Sequence, residues 1–289
     1  MRTIIVLGAL LFQATFSSRT VVVVVPVSVS GSGGQRIAGL SKEHFRLYDN
    51  GRLQQITTFA QGDIPVTLGL VVDHSASMRL KLATVTDAIE RLARTMRTAD
   101  ELFVVDFNER VNRPTFGGSA FTSDPTELRA VVAGLRAAGA TALHDAVIDA
   151  TQHVRHGTAE RKALIVISDG ADNASRHTYE DAVTLVREVG AVVYAVGLST
   201  DADDRRSYGE LRRLARDSGG AAYLLQTVDE VSTRLEDIVR DLRDQYLLGF
   251  IPEKAAGSTG AIRVTTVAPG HPKLTVRSRA SYTLPSSVP

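Results

Sequence analysis

Three oxygen-bearing side chains alternate directly after an apolar run in the segment "LGLVVDHSASM", residues 68–78: Asp73, Ser75 and Ser77. Two more occur further along the chain, Thr141 in "AAGATALHDAV" and Asp169 in "VISDG". Hydroxyl and carboxylate oxygens are hard ligands of the kind that Mg²⁺ prefers. The five residues are therefore a candidate metal site, provided that the fold brings them together.

Each of these residues also has a purely structural explanation. Ser75 or Ser77 can cap a helix that begins directly after them, because a serine hydroxyl satisfies a free backbone N–H at a helix start. Thr141 can cap a later helix in the same way, and Asp169 can belong to a turn that ends a strand. Taken singly, a cap or a turn is an adequate explanation, so the metal hypothesis depends on convergence.

The residues between Val66 and Asp244 predict a fold that produces such convergence. Short apolar runs without polar alternation indicate buried parallel strands. The runs are "VTLGLVVD", "ELFVVDF", "ALIVISDG" and "AVVYAVGL", and helical patterns cover residues 80–98, 143–156, 179–189, 207–217 and 228–244. We expect an α/β fold with a doubly wound, mostly parallel sheet. Ligands of such sheets gather at the carboxyl ends of the strands, where Asp73 and Asp169 both lie.

The order Asp-x-Ser-x-Ser, then Thr, then Asp resembles the metal-ion-dependent adhesion site (MIDAS) of the von Willebrand factor type A (VWA) family. The matching residues are Asp73, Ser75, Ser77, Thr141 and Asp169. The resemblance implies that the two serines and the threonine ligate the ion directly, and that the aspartates act largely through bound water. Ala76 replaces the glycine common in the family's loop, which changes the demand on the backbone and removes no ligand.

A Mg²⁺ ion held by three hydroxyls, or Mn²⁺ or Ca²⁺ in its place, keeps coordination positions open. The resemblance therefore implies a protein-binding module in which an Asp or Glu of a partner completes the metal's shell. Two other classes stay open: a metal-assisted hydrolase with His144 or His177 as base, and a structural envelope protein with a rigidifying metal. The sequence places no such base and contains no Gly-x-Ser-x-Gly elbow, so we expect a binding protein and not an enzyme.

Several polar residues near the candidate ligands are expected to have minor roles. His74 points away from the ligands if the loop is extended, which favours a surface or packing role. Asp172, Asn173 and His177 are expected in a solvated loop that shapes partner choice. The acidic stretch "DADDRR", residues 201–206, lacks the glycine and terminal glutamate of a calcium loop, so we expect a surface loop there.

β-patterned segments flank the central region on both sides. Residues 20–64 contain "TVVVVVPVSVS" and an Asn50-Gly51 hairpin signal, and Pro26 predicts that the first strand lies at an edge. Residues 245–289 contain "AIRVTTV" and "KLTVRSRASYTL", the latter with one buried face. Neither flank has enough strands to close a sandwich alone, so we expect a small β-sandwich that both flanks share.

This arrangement divides the chain into a possible signal segment (1–19), a β flank (20–64), a VWA-like domain (65–244) and a second β flank (245–289). The flanks, together with "QYLLGFIP", resemble the VWFA-related group described from Acidobacteria. The domain would be inserted between the strands of the sandwich, which is tolerable because domain termini often lie close together.

Composition and the first residues bear on partners and location. The formal net charge is +1, and no Lys/Arg run stands out, so we expect no nucleic-acid partner. Cysteine is absent, which excludes disulfides and thiolate metal sites. Arg2 before the apolar stretch 4–12 is the layout of a secretory signal, and no later segment reaches the roughly 18 apolar residues of a membrane span. We expect a secreted, periplasmic or envelope protein without a stable span in the mature chain.

Overall fold

The structure is a computed structural model. It describes residues 21–286 apart from residues 63, 171, 199–203, 269, 271 and 272. The expected signal segment at residues 1–19 lies outside the described residues, as does the beginning of the acidic stretch at residues 201–206. Within the described part of the chain, no helix has the length and apolar character needed to cross a membrane.

The strands and helices alternate along the middle of the chain, whereas both ends consist of strands. The strands are β1 (Val23–Gly31), β2 (Phe45–Asp49), β3 (Arg52–Gln54), β4 (Thr58–Ala60), β5 (Val66–Asp73), β6 (Glu101–Phe107), β7 (Val111–Asn112), β8 (Arg161–Ser168), β9 (Val192–Leu198), β10 (Ala222–Leu225), β11 (Tyr246–Phe250), β12 (Thr259–Thr266), β13 (Leu274–Ser278) and β14 (Ser281–Thr283). The helices are α1 (Leu82–Thr95), α2 (Pro125–Ala133), α3 (Leu143–Val154), α4 (Tyr179–Val189), α5 (Asp204–Ser218) and α6 (Glu230–Asp244).

A six-stranded sheet forms the centre, in the order β10-β9-β8-β5-β6-β7. Its neighbouring strands are parallel except for the short pair β6–β7. Strands β5 and β9 are buried along their whole length, because helices pack on both faces of the sheet. The predicted doubly wound α/β fold is confirmed.

Helix α2 was not predicted from the sequence, although a local signal for it exists. The side chain of Asp124 accepts a hydrogen bond from the backbone N–H of Thr126, and Pro125 is the first helical residue. An N-cap aspartate followed by proline is a common helix start, because proline has no N–H to leave unsatisfied there. The Asp-Pro pair was therefore an available indication of this helix.

Strands from both ends of the chain form two antiparallel sheets, β13-β1-β11-β4 and β14-β12-β2-β3. Their buried side chains form a second hydrophobic core, separate from that of the central sheet. The predicted hairpin joins β2 to β3, with Asn50 at φ 47° and Gly51 at φ 78°. Positive φ at both central residues is what the tight primed turn requires.

Two expectations about these flanking strands are wrong. Strand β1 is central in its sheet, not at an edge. Its pairing with β13 ends at Val27↔Ser278, so Pro26 lies one residue beyond that ladder, and its missing N–H interrupts no bond to β13. The segment 273–284 does not have one continuous buried face, because the chain leaves β13 after Ser278 and enters the other sheet as β14, with Arg279 buried and Ala280 exposed.

Arg161 ties together the two connections between the central sheet and the flanking sheets. Its guanidinium donates through Nη1 to the carbonyls of Gly62 (3.1 Å) and Ile64 (3.2 Å), and through Nη2 to that of Gln245 (2.6 Å). Burial lowers the pKa of Arg161 to about 10. The chain therefore enters and leaves the central domain at neighbouring points that one side chain holds.

Candidate metal centre

Asp73, the last residue of β5, is fully buried at the carboxyl end of the central sheet. Its carboxylate accepts hydrogen bonds from the backbone N–H of Ser75 (2.7 Å) and from the hydroxyl of Ser168 (2.6 Å). The first of these bonds is local and turns the chain directly after the strand. Burial raises the pKa of Asp73, and the negative charge of Asp169 acts in the same direction, against the lowering effect of the hydrogen bonds.

Ser75 and Ser77 follow within this turn, and their hydroxyl oxygens lie 3.1 Å apart. The hydroxyl of Ser77 donates to Oδ1 of Asp169 at 2.7 Å. Asp169 directly follows β8, the strand next to β5. The ends of these two parallel strands therefore bring four of the five predicted residues, Asp73, Ser75, Ser77 and Asp169, into one connected cluster.

Thr141 lies beside the cluster, on a loop fixed by backbone hydrogen bonds. The N–H of Ala76 donates to the carbonyl of Gly139 at 3.1 Å, which ties this loop to the serine turn. The N–H of Thr141 donates to Oδ1 of Asn173 at 2.8 Å. A Cβ added to Gly170 would lie 4.0 Å from the Thr141 hydroxyl oxygen, so this hydroxyl faces the residues directly after Asp169.

The capping explanations do not account for this geometry. Ser75 precedes a short 3-10 helix, Ala76–Leu80, but its side chain makes no capping hydrogen bond. The N-cap of α3 is Ala142, not Thr141. Among the described residues, the Thr141 hydroxyl has no hydrogen-bond partner, although the residue is only 4% exposed. The hydroxyl oxygen is not among the buried side-chain atoms that lack a partner, so solvent reaches it and it is accessible to a ligand.

Lys81 was not predicted from the sequence as part of this site. Its ammonium Nζ lies 2.5 Å from Oδ2 of Asp169, whose side chain is 1% exposed. Lys81 follows Ser77 by four residues, which on a helical turn places the two side chains on the same face. That spacing was the available signal. The ammonium supplies one positive charge to a cluster that contains two buried carboxylates.

The histidines near the cluster contact other groups. Nδ1 of His74 lies 2.9 Å from the carbonyl oxygen of Arg136, and Nε2 lies 3.3 Å from Oδ1 of Asp106. Hydrogen bonding to Asp106 is the main reason that the pKa of His74 is raised, against the opposite effect of burial. His74 therefore contacts Arg136 and Asp106 and has no side-chain hydrogen bond to the five predicted residues in the described part of the chain.

His144 and His177, the two candidate bases, each pair with a carboxylate. Nε2 of His144 lies 2.9 Å from Oε2 of Glu210, and Nδ1 of His177 lies 2.7 Å from Oδ1 of Asp145. Neither imidazole has a hydrogen bond to the five predicted residues in the part of the chain described. Asp172 accepts a hydrogen bond from the backbone N–H of His144 at 3.0 Å, so it supports the start of α3.

The donor set fits a hard divalent cation. Two carboxylates and three hydroxyls supply oxygen ligands only, and two buried negative charges face a single ammonium, so a further cation is electrostatically favoured. Among the described residues, no three His, Cys, Asp or Glu side chains are grouped as a metal site. A metal here would therefore depend on the serine and threonine hydroxyls.

Comparison with known proteins identifies the family of the central region. The model of the von Willebrand factor type A domain matches residues 68–241. Comparison with curated proteins gave no match. Among solved structures, von Willebrand factor type A from Catenulispora acidiphila superposes with a TM-score of 0.55 at 14% identity, covering 94% of this chain and 74% of that one. Coverage of this extent includes the flanking strands.

Two further solved structures each match about three fifths of this chain. Proximal thread matrix protein 1 from the mussel byssus has a TM-score of 0.53 at 16% identity, covering 63% of this chain and 49% of that chain. This chain thus spans about half the length of the mussel protein, one structure of which is described with a zinc-occupied MIDAS motif. An aerotolerance-related membrane protein from Bacteroides fragilis has a TM-score of 0.50 at 17% identity, covering 61% and 98%. At these identities the likeness establishes the fold.

Proposed function

Because the chain belongs to the von Willebrand factor type A family through residues 68–241, we propose that it is a metal-ion-dependent protein-binding module. The proposed ligands are Asp73, Ser75, Ser77, Thr141 and Asp169. Mg²⁺ is the proposed ion, with Mn²⁺ and Ca²⁺ as substitutes. The three hydroxyls would ligate it directly, and the two carboxylates would act largely through water, as the family resemblance implies.

The observation that carries this proposal is the Thr141 hydroxyl, which has no hydrogen-bond partner among the described residues and lies at the edge of a cluster of carboxylates and serine hydroxyls. A cap, a turn or an internal hydrogen-bond network would have used it. Asn173 and the Gly139 loop hold the backbone of Thr141 in place, so the hydroxyl is positioned before any ion arrives. Preorganisation of this kind lowers the cost of binding.

When bound, the ion supplies an electrophilic centre with coordination positions open to an incoming oxygen. The chain's own residues prepare that centre for a partner. Ser77 is exposed, so the cluster is open to solvent on one side. Leu80 belongs to the same short helix and is 91% exposed. An exposed apolar side chain on the helix that contains Ser77 is what a protein partner with an Asp or Glu among apolar residues would match.

The two alternative classes are a metal-assisted hydrolase and a structural envelope protein. Metal-assisted hydrolysis needs a base near the ion, and His144 and His177 are each paired with a carboxylate outside the cluster. A structural envelope role would leave the binding of partners independent of the metal. We also propose that the protein is exported, that the chain divides at residues 64 and 244, and that it is related to the Acidobacteria group. Amino-terminal sequencing of the native protein tests export.

Calorimetric titration with Mg²⁺ tests the metal site directly. We expect saturable binding by the wild type and a loss of at least about tenfold in affinity for Thr141→Ala, because one directly ligating hydroxyl is removed. The matched control is Thr178→Ala. Thr178 is a true N-cap, since its side chain accepts from the N–H of Asp181, so its removal should cost about 0.5–2 kcal/mol of stability and leave Mg²⁺ affinity unchanged.

Equal Mg²⁺ affinity of the wild type and Thr141→Ala would contradict the metal site. Once a protein partner has been identified, removal of the metal by a chelator should abolish binding of that partner. Changing the partner's critical Asp or Glu to the matching amide should weaken binding strongly, because a neutral oxygen is a poorer ligand for a hard cation. Partner binding that survives chelation would leave the metal only a structural role.

A further inference from the structure

A cavity of about 270 Å³ lies where the flanking sheets meet the central domain. Its walls are largely apolar and include Val22, Val24, Pro26, Val189, Leu284 and Pro285. Lys162, near the start of β8, also lines it, whereas Asp169 follows the other end of that strand. At about 3.3 Å per residue, the cavity lies roughly 20 Å from the candidate metal centre. The two sites are therefore separate.

One wall of the cavity carries a buried arginine with no partner. Arg279 is 6% exposed, and its guanidinium makes no hydrogen bond or ion pair with any residue that the structure describes. Burial lowers the pKa of Arg279 to about 10, and no carboxylate is near enough to offset that effect. The side chain is still cationic at neutral pH. An uncompensated buried charge of this kind is costly.

The other arginines nearby show what a purely structural role looks like in this protein. Arg161 donates to three backbone carbonyls. Arg277, two residues before Arg279, donates to Asp241, to the hydroxyl of Ser28 and to the carbonyl of Gly219. Each has partners that account for its position. Arg279 has none, so its position at the cavity requires a different explanation.

The backbone around Arg279 leaves room for its side chain. A Cβ added to Gly190, which ends α4 with φ 75°, would lie 2.6 Å from Nη1 of Arg279. A Cβ added to Gly219 would lie 2.6 Å from the backbone nitrogen of Arg279. The N–H of Ala280 donates to the carbonyl of Asp217 at 3.1 Å, which anchors the same corner. Two glycines thus allow the guanidinium to reach the cavity wall.

The shape and charge of the cavity select the chemistry of a ligand. A guanidinium presents a planar fork of donors that matches a carboxylate. Glu160, Glu188 and Lys162 also line the cavity, so with Arg279 the lining has two positive and two negative charges, which favours a ligand with one negative charge over a dianion such as phosphate. The volume is near the lower end of small-molecule sites, about 300 Å³. We propose that the cavity binds a small organic acid, whose carboxylate pairs with Arg279 and whose apolar part contacts the valine and proline wall.

Titration of the full chain with hexanoate tests this proposal, with chelator present so that no metal-bound carboxylate contributes. We expect saturable binding and an upward shift of the unfolding temperature, and at least about tenfold weaker binding of hexanamide, which lacks the charge. Arg279→Met should lose hexanoate binding by a similar factor. Arg279→Lys keeps the charge without the planar fork and should bind in between. Arg263→Met, which removes an exposed arginine, should bind as the wild type does.

The expected results are distinguishable from a capping role of Arg279 at the end of α4. A capping arginine would lower stability when replaced and would give no hexanoate binding in the wild type, and that outcome overturns the proposal. Equal binding of hexanoate by the wild type and Arg279→Met would also overturn it. Thr141→Ala should retain hexanoate binding. Stronger binding of inorganic phosphate than of hexanoate would contradict the assignment of a carboxylate.

Discussion

Replacing Lys81 by methionine is expected to increase the affinity of the candidate metal centre for Mg²⁺. The ammonium of Lys81 lies 2.5 Å from Oδ2 of Asp169, the carboxylate that would share its charge with the ion. An arriving cation must therefore weaken or displace this ion pair. Methionine keeps the length and the apolar stem of the side chain and removes only the charged group.

The size of the effect follows from the exposure of the two partners. A hydrogen bond to a charged group contributes about 1.5–3 kcal/mol. The side chain of Lys81 is 26% exposed and that of Asp169 is 1% exposed, so solvent screens the ammonium only in part. We take the lower end, about 1.5 kcal/mol, and since about 1.4 kcal/mol corresponds to a factor of ten, Mg²⁺ affinity should rise about tenfold.

Calorimetric titration with Mg²⁺ measures this change, and thermal unfolding checks its cause. Without metal, Lys81→Met should unfold at a lower temperature than the wild type, because Asp73 and Asp169 then lie buried without the ammonium. Saturating Mg²⁺ should close most of that gap. Arg79→Met is the matched control, because it removes an exposed positive charge two residues away.

Unchanged or weaker Mg²⁺ binding by Lys81→Met would refute this reasoning and would make the lysine a support of the metal-bound state. If Arg79→Met increased the affinity as much as Lys81→Met, the effect would come from general electrostatics and not from the ion pair with Asp169. A gap in unfolding temperature that persisted at saturating Mg²⁺ would mean that Lys81 stabilises the fold by another route.

Two further predictions concern stability. Arg161→Leu leaves the carbonyls of Gly62, Ile64 and Gln245 without a buried donor. It should lower the free energy of unfolding in urea by about 3 kcal/mol or more. A smaller loss than that of the exposed control Arg155→Leu would contradict the role of Arg161 at the junction. Burial lowers the pKa of His153 in the folded protein. Neutral His153 therefore contributes its full stability above the unfolded pKa of about 6.5. This stability is lost as the pH falls below that value, by at most about 1.4 kcal/mol per pH unit. The free energy of unfolding of the wild type should therefore fall more than that of His153→Gln between pH 7.5 and 5. If the stability advantage of the wild type over His153→Gln were larger at pH 5 than at pH 7.5, this prediction would be refuted.

Local patterns in the sequence were enough to predict the elements that position the site. Apolar runs without alternation marked β5, β6, β8 and β9 as buried parallel strands, and α4 begins and ends where its periodicity predicted. The Asn50-Gly51 pair predicted the hairpin for a reason confined to two residues, their tolerance of positive φ. These predictions succeeded because burial on two faces and turn conformation both restrict the types of residue at adjacent positions in the sequence.

Predictions failed where a residue's role depends on distant parts of the chain. Pro26 indicated an edge strand, yet β1 is central, because the ladder to β13 stops just short of the proline. The alternation in residues 273–284 indicated one buried face, yet the chain changes sheets after Ser278. Only its helical spacing from Ser77 indicated that Lys81 belongs to the site, and its partner Asp169 lies 88 residues away in the sequence.

The sequence by itself determined the kind of fold and the type of ligand atoms at the candidate metal centre, because periodicity and side-chain chemistry are local properties. Only the tertiary structure decided which of those atoms already have partners. Arg277 and Arg279 are two residues apart in one β-patterned segment, yet Arg277 pairs with Asp241 on α6, whereas Arg279 faces a cavity without a described partner. The physical reason is that hydrogen bonds and buried charges are satisfied by neighbours in space, and helix and strand packing sets those neighbours.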